Sequence, residues 1–197
     1  MKKCYLFIGL ALSVVITFVS TGAEAKELRV KRSFSGSFVG TPVDTNKDGQ
    51  VASLSIVSAK GTLGPSTIQG VNEWVFTGPA TCPNNNEGFG FTQLRLLPGY
   101  EQAPAHFVER FESSGDLIYS EQTAGTFACF DPATGIFFAH GISTITGGTG
   151  RFTNARGTVE CSATAVIPFE ATAGAEAGIG IGFGGQSGTC TGTIIIE

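Results

Sequence analysis

The sequence predicts an all-β protein, a barrel or a sandwich built from about eight to ten short strands. Three observations support this prediction. Apolar and polar residues alternate with a period of two in most segments, which is the pattern of half-buried strands. Segments rich in Gly, Pro, Asn and Asp separate these runs, as turns require. Finally, no window of helical length after residue 25 carries an apolar stripe of helical period.

The predicted strands follow one another along the chain with turn residues between them. Their apolar runs lie at residues 28–38, 54–56, 74–76, 89–96, 107–111, 117–119, 126–130, 136–145, 158–167 and 189–196. The turn signals lie at residues 46–49, 64–65, 82–86, 114–116 and 131–135. An alanine- and glycine-rich segment at 171–188 contains a G-x-G-x-x-G pattern. It lacks the strand-then-helix context of a dinucleotide site, so it predicts a hairpin connection and no nucleotide cofactor.

Residues 1–25 have the features of a signal peptide. Lys2 and Lys3 precede an apolar run at residues 6–19, and a small-x-small step at 23–25 follows. An uncleaved anchor is the alternative, but the run is short for a bilayer span of about 20 residues. We therefore expect a secreted or periplasmic protein with one barrel domain at 26–197 and no membrane span after cleavage.

The charge of the chain argues against polyanionic partners. The formal net charge is −4, and no basic cluster occurs in the part that follows the predicted signal peptide. Nucleic acids and anionic membrane surfaces attract chains with concentrated Lys and Arg. Neither is therefore expected as a partner.

Four cysteines follow the predicted signal peptide, an even number that favours disulfides in an exported protein. Cys161 and Cys190 lie in strand-like runs that are expected to pair as neighbours near the C-terminus. The remaining bridge would then join Cys82 and Cys129. A metal site is the alternative, but the four residues are scattered singly without a C-x-x-C pair.

Three ionisable residues share the phase of apolar strand faces. Arg32 alternates with Val30 and Phe34, Glu109 with Phe107 and Phe111, and His140 with Ile136 and Phe138. If those faces point inward, Arg32, Glu109 and His140 would form a buried set able to polarise a ligand. The alternatives are a strand shifted in phase, which would place its residue outside, and an ion pair with a purely structural role.

The segment 44–49 matches D-x-N-x-D-G, the beginning of a calcium loop. Oxygen atoms of Asp44, Asn46 and Asp48 would converge on Ca²⁺, and Gln50 would add its backbone carbonyl. The twelfth position is Ser55, and no flanking helices are predicted, so an EF-hand is excluded. The two remaining interpretations are a weak extracellular calcium loop and an Asx-rich turn that needs no metal.

The most distinctive segment is a glycine-dense turn that joins two predicted strands. Its key residues are Gly147, Gly148, Gly150, Arg151, Phe152, Arg156 and Gly157. The segments GDLIY at 115–119, GTF at 125–127, DPATG at 131–135 and ISTIT at 142–146 lead into it. Arg151 and Arg156 are suited to binding an anion or, as we favour, to bracing the turn by hydrogen bonds to carbonyl groups.

This order of motifs resembles the bacterial branch of the allene oxide cyclase and dirigent-like barrels. The resemblance implies an antiparallel eight-stranded, calycin-like barrel with long loops and an apolar interior, and it implies a homo-oligomer, often a trimer. It covers residues 115–160 clearly and 30–115 loosely. Thr158 stands where plant dirigent proteins usually carry an aromatic residue, and no position matches a catalytic residue of the plant families. The resemblance therefore implies the fold and not an activity.

The sequence favours a non-catalytic exported barrel that binds a small apolar ligand or serves as a structural module of the cell envelope. One alternative is a cyclase, an isomerase or a stereochemical guide protein that acts in the barrel cavity. A second alternative is a calcium-dependent surface module, which depends on the segment at 44–49. The chain lacks G-x-S-x-G and H-E-x-x-H, the motifs of common hydrolases.

Overall fold

Nine antiparallel strands make up most of the described chain in this computed structural model. The structure describes residues 25–40, 50–93, 96–99, 105–166 and 183–197. The strands are β1 (Lys26–Gly40), β2 (Gln50–Gly61), β3 (Ser66–Thr81), β4 (Glu87–Gln93), β5 (Ala105–Phe111), β6 (Leu117–Asp131), β7 (Ile136–Gly148), β8 (Arg156–Val166) and β9 (Phe183–Ile196). A single 3₁₀ turn, Gly150–Phe152, lies between β7 and β8. No helix in the described ranges has the length and apolar character that a membrane crossing requires.

The strands close into a ring that has eight positions. Each strand pairs with its neighbour in sequence from β6 to β9, and β9 returns to pair with β1, which continues through β2 to β3. β4 and β5 share the position between β3 and β6. β4 pairs with residues 74–81 of β3, and β5 pairs with residues 66–72 of β3. The predicted antiparallel eight-stranded barrel is therefore confirmed, with nine strands in eight positions.

Alternation along each strand divides side chains between the barrel interior and its surface. In β8, Val159 and Ala165 are buried while Thr158 and Glu160 are exposed. In β9, the inward positions include Gly184 and Gly188, and the rings of Phe38 and Phe34 lie close above them. A β-carbon at Gly188 would lie 2.3 Å from the carbonyl oxygen of Ser162 and 2.5 Å from Cζ of Phe34, so glycine here makes room for both the neighbouring strand and an aromatic ring.

Two apolar clusters fill the two ends of the interior. The upper cluster, at the end where β1 terminates, consists of Phe38, Trp74, Phe91, Ala128, Phe130, Phe137 and Ala165. The lower cluster, at the end of the 3₁₀ turn, consists of Val30, Phe111, Ile118, Ile145, Phe152, Ala155, Val159 and Ile194. The middle of the interior lies between these clusters, and its lining is more polar.

Strand β2 has the opposite orientation to the one its apolar residues suggest. Leu54 and Ile56, which mark the predicted strand, are each 50% exposed on the outer surface. Ser53 and Ser55 face inward instead. Apolar alternation therefore located the strand but not its buried face.

Candidate functional site

A cavity of about 160 Å³ lies inside the barrel between the two clusters. Its walls include Phe38, Trp74 and Phe137 of the upper cluster and Val159 of the lower cluster. A cavity of about 150 Å³ is large enough for one benzene molecule. The cavity is therefore suited to a ligand the size of a single substituted ring.

Arg32 and Glu109 meet in the wall of this cavity, as their predicted phase requires. Nη1 of Arg32 donates a hydrogen bond to Oε2 of Glu109, and their side chains are 10% and 5% exposed. Ser66, which is buried at the start of β3, donates from Oγ to Oε1 of Glu109 at 2.6 Å. Both carboxylate oxygens of Glu109 are thus engaged, which is what keeps a buried charge tolerable.

Further polar groups surround the ion pair. Oγ of Ser53 donates to Oδ1 of Asn72 across β2 and β3, and both residues line the cavity together with Gln122. Nε of Arg32 and Oε1 of Gln122 are buried and have no hydrogen-bond partner among the described residues. These two atoms are one donor and one acceptor in the wall of an otherwise largely apolar cavity.

His140 borders the same cavity but is only half-buried, whereas the buried residues of β7 are Phe137, Gly141, Ser143, Ile145 and Gly147. Its imidazole contacts side chains of the outer face of the sheet. There Nδ1 is 3.0 Å from Oγ of Ser162 and Nε2 is 3.3 Å from Oε1 of Glu160. Residues 136–139 are apolar in both phases, so alternation alone does not identify the inward face of β7.

The cysteines pair as the sequence analysis favoured. Cys161 and Cys190 are directly opposite each other on β8 and β9, with Cα atoms 4.1 Å apart. Cys82 and Cys129 form the other disulfide, with a Cα–Cα distance of 5.4 Å. Cys161 and Cys190 line the cavity. The Cys82–Cys129 disulfide ties the loop at 82–86 to the upper part of β6.

The glycine-dense turn closes the lower end of the barrel. Phe152 is fully buried against Phe111, with ring centroids 4.9 Å apart. The guanidinium of Arg151 lies over both rings, and its Nη2 donates to the carbonyl of Leu63 at 3.3 Å. Arg156 forms an exposed ion pair with Glu197 at 2.6 Å. Arg151 and Phe152 thus brace the joint between β7 and β8, whereas Arg156 contacts a carboxylate and not a carbonyl group of the turn.

The glycines of this turn differ in their backbone conformation and in how closely other backbone atoms approach them. Gly147, Gly150 and Gly157 have positive φ angles, whereas Gly148 does not. At Gly157 a β-carbon would lie 2.1 Å from the carbonyl oxygen of Thr193, because β9 passes directly beside it. Only glycine fits such a close backbone approach.

Most of the predicted calcium loop falls outside the described residues. Asp44, Asn46 and Asp48 lie in the segment 41–49, and Gln50 is described only through its backbone as the first residue of β2. In the described ranges, His, Cys, Asp and Glu side chains nowhere form a group of three that could hold a metal ion. The calcium loop remains a prediction.

Sequence reasoning missed several polar residues in the cavity wall or directly behind it. Ser66 and Asn72 stand on the face of β3 that also carries Ile68 and Trp74. Their sequence signal was weak, because the apolar run that predicted this strand began only at Trp74. Gln122 lies where β6 shifts register between Gln122 and Ala124, and such an irregularity has no marker in the alternation.

Comparisons with known proteins give little beyond the general course of the chain. No family model matches it, and no curated protein matches it. One similar solved structure is that of the pterocarpan synthase dirigent protein GePTS1, with 12% identity, a TM-score of 0.40, and coverage of 89% of this chain and 87% of that chain. Another is that of the pterocarpan synthase dirigent protein PsPTS1, with 12% identity, a TM-score of 0.42, and coverage of 87% and 96%. Values this low carry no conclusion about function, and the barrel and its cavity rest on the strand pairings and contacts given above.

Proposed function

We propose that this chain is an exported β-barrel that binds a small, largely apolar ligand with one hydrogen-bonding oxygen in its interior cavity. The observation that carries the proposal is the cavity between the two clusters, with Nε of Arg32 buried in its wall and without a partner among the described residues. A buried donor is stabilised by an acceptor. A ligand oxygen at this point would supply one.

Binding is favoured over catalysis by the state of Glu109. A general base must be within hydrogen-bond reach of the substrate proton that it abstracts. Here Oε2 is engaged by Arg32 and Oε1 by Ser66. A cyclase, an isomerase or a stereochemical guide protein would use the same cavity, and turnover of a bound ligand would favour that alternative.

Trp74 supplies the test, since it is the single tryptophan of the chain and lines the cavity. We expect toluene and benzaldehyde to change its fluorescence saturably, with benzaldehyde bound more tightly because its oxygen accepts from Nε of Arg32. Arg32→Lys keeps a cation beside Glu109 but removes this donor. It should reduce the preference for benzaldehyde by roughly threefold to tenfold.

A pair of variants on β8 controls this test. Ala163 lines the cavity, and Ala163→Leu should fill it and abolish the response. Thr158→Leu changes an exposed position of the same strand and should leave binding intact. An unchanged Trp74 emission up to the solubility limit of both probes would refute the proposal, and so would full binding by Ala163→Leu.

We propose secretion or a periplasmic location, a signal peptide at 1–25 and one barrel domain at 26–197. The two disulfides support an oxidising compartment. Peptide sequencing of the exported protein tests this, and a mature N-terminus far from Lys26 would contradict it.

Two further properties remain proposals. A calcium loop at Asp44, Asn46, Asp48 and Gln50 predicts that millimolar Ca²⁺ raises the melting temperature relative to a chelator, because a ligand of the folded state stabilises it. An unchanged melting temperature would identify the segment as a turn.

A homo-oligomer such as a trimer is the second property. It is supported by Val39, Leu54 and Val71, apolar neighbours exposed in register on the outer surface, and sedimentation equilibrium tests it.

A further inference from the structure

The outer surface of the barrel carries an open groove of about 600 Å³, whose lining shares Phe34, Ala139, His140 and Ala163 with that of the interior cavity. Two rows of directly opposed, outward residues form it. One row runs from β1 to β6 through Ser33, Thr189, Ser162, His140 and Phe127. The adjacent row runs through Ser187, Thr164 and Phe138.

The two ends of this groove differ in chemistry. Toward β1, β9 and β8 its lining includes the side chains of Ser33, Ser162, Thr164, Ser187 and Thr189, next to Phe34, Ala163 and Gly188. Toward β7 and β6 it ends in aromatic rings: Phe127 is 47% exposed, and its ring lies 5.5 Å from that of His140 at an angle of 30°. Strands lie about 4.8 Å apart, so a row of five residues extends over roughly 19 Å. The groove is therefore long enough for an extended chain molecule.

The aromatic end of the groove is held in position by contacts within the protein. Pro83 forms part of the groove, and its loop is fixed to β6 by the Cys82–Cys129 disulfide. Asp131 holds the same loop, because its Oδ2 accepts hydrogen bonds from Nδ2 of Asn84 at 2.7 Å and Nδ2 of Asn86 at 2.8 Å. A wall fixed in this way lowers the ordering cost of binding.

The charges of the groove restrict the class of ligand. None of its lining residues is Lys, Arg, Asp or Glu. The carboxylate of Glu160, which lies beside His140, is paired with its imidazole. An anionic or cationic ligand would lose hydration here without gaining a counter-charge. The occupant that matches this surface is uncharged.

We propose that this groove binds a neutral oligosaccharide chain. Serine and threonine hydroxyls both donate and accept, which matches the hydroxyl groups of a sugar. The apolar C–H face of a sugar ring would pack on the rings of Phe127 and Phe138, because aromatic side chains bury large apolar area at little conformational cost. The two kinds of surface lie side by side, as the two faces of one sugar chain require.

The proposal is tested with the full chain and cellohexaose, chitohexaose and maltohexaose as probes. We expect at least one probe to shift the amide NMR signals of Ser187 and Thr189 saturably while the emission of Trp74 stays constant. Phe127→Ala should weaken binding about tenfold. Thr189→Val, which removes one hydroxyl at nearly constant shape, should weaken it by about threefold.

Phe76→Ala is the matched control, since Phe76 is 51% exposed but does not line the groove. It should bind like the unmodified protein. Should Phe127→Ala fail to fold, Thr189→Val carries the test alone. The proposal is overturned if no probe gives saturable shifts at millimolar concentration, if Phe76→Ala weakens binding as much as Phe127→Ala, or if a polyanion such as polygalacturonate binds more tightly than the neutral probes. Because the groove and the cavity have different reporters, failure of one proposal leaves the other standing.

Discussion

Glu109 is the residue on which the polar centre of the barrel depends. It lies opposite Ile68 on β3 and Ile118 on β6, yet its carboxylate is held by Arg32 and Ser66. A buried ion pair adds little net stability compared with apolar residues of the same shape. Removing one partner is different, because the other charge is then buried without compensation.

Substituting Glu109 alone should therefore be far more damaging than substituting both partners. Glu109→Leu leaves the guanidinium of Arg32 unpaired and should lower the free energy of unfolding by about 3–5 kcal/mol. The double variant Arg32→Met with Glu109→Leu should recover most of that loss. Urea unfolding monitored by Trp74 fluorescence measures both values. Equal losses in the single and double variants would contradict this explanation.

Asp131 has a structural role at the outer face of β6. It is fully buried and accepts hydrogen bonds from the Thr134 hydroxyl, the side chains of Asn86 and Asn84, and the backbone N–H of Ala133. These hydrogen bonds, that of Thr134 first, lower the pKa of Asp131 well below its usual range. Its ionised form is therefore the one that the fold stabilises.

The pH dependence of stability follows from this direction. A carboxyl group with a lowered pKa in the folded state stabilises fully above its unfolded pKa of about 4, and this contribution is lost as the pH falls toward the folded value. The stability gap between the unmodified protein and Asp131→Asn should therefore narrow below pH of about 4. Melting temperatures between neutral and acidic pH measure it. A gap that stays constant with pH would show that folding does not lower the pKa of Asp131.

The joint between β7 and β8 illustrates how one element depends on a single glycine. Gly150 has φ of +56°, and a β-carbon there would lie 1.9 Å from Oδ1 of Asp116. Asp116 is in turn 3.6 Å from Nε of Arg151, whose guanidinium covers Phe152. A side chain at position 150 would thus disturb the contacts that close the lower end of the barrel.

Gly150→Ala should lower the free energy of unfolding by about 1–3 kcal/mol, because it combines backbone strain with a displaced Asp116. Gly185→Ala provides the control, since a β-carbon at Gly185 would meet nothing within 4 Å. Chemical denaturation of both variants gives the comparison. Equal effects would mean that loss of glycine, and not this particular site, is responsible.

How far the sequence predicts an element depends on which residues occupy its two faces. In β1, one phase holds Val30, Arg32 and Phe34, and the other holds charged and hydroxyl residues, so the inward face was predicted correctly. In β2 and β7 both faces carry residues compatible with burial. The polar interior reverses the usual pattern in β2, and the loop at 82–86 covers part of the outer face near β7. Neither effect is local, so the phase of these strands followed only from the tertiary structure.

On the scale of the whole molecule, the sequence predicted the closed barrel and both disulfides but not the sharing of one position by β4 and β5. Two of the predicted runs, 117–119 and 126–130, belong to one long strand, β6, which shifts register between them. β6 needs this length because it pairs with β5 at its lower end and with β4 near its upper end. The candidate site was predictable in part. The alternation identified Arg32 and Glu109, whereas the inward position of Ser66 and Asn72 followed only from the closed barrel.

The pairing of β1 with β9 also has a consequence for how this chain acquires its structure. The register joins Lys26 to Ile196, so closure brings together residues from opposite ends of the sequence. A nascent chain that still lacks β9 leaves β1 and β8 as open edges, which invite association with other chains. Contacts between such distant residues also form slowly, because a long loop must be ordered first. Pairing of β9 with both of these edges should therefore be the step that ends this tendency to associate.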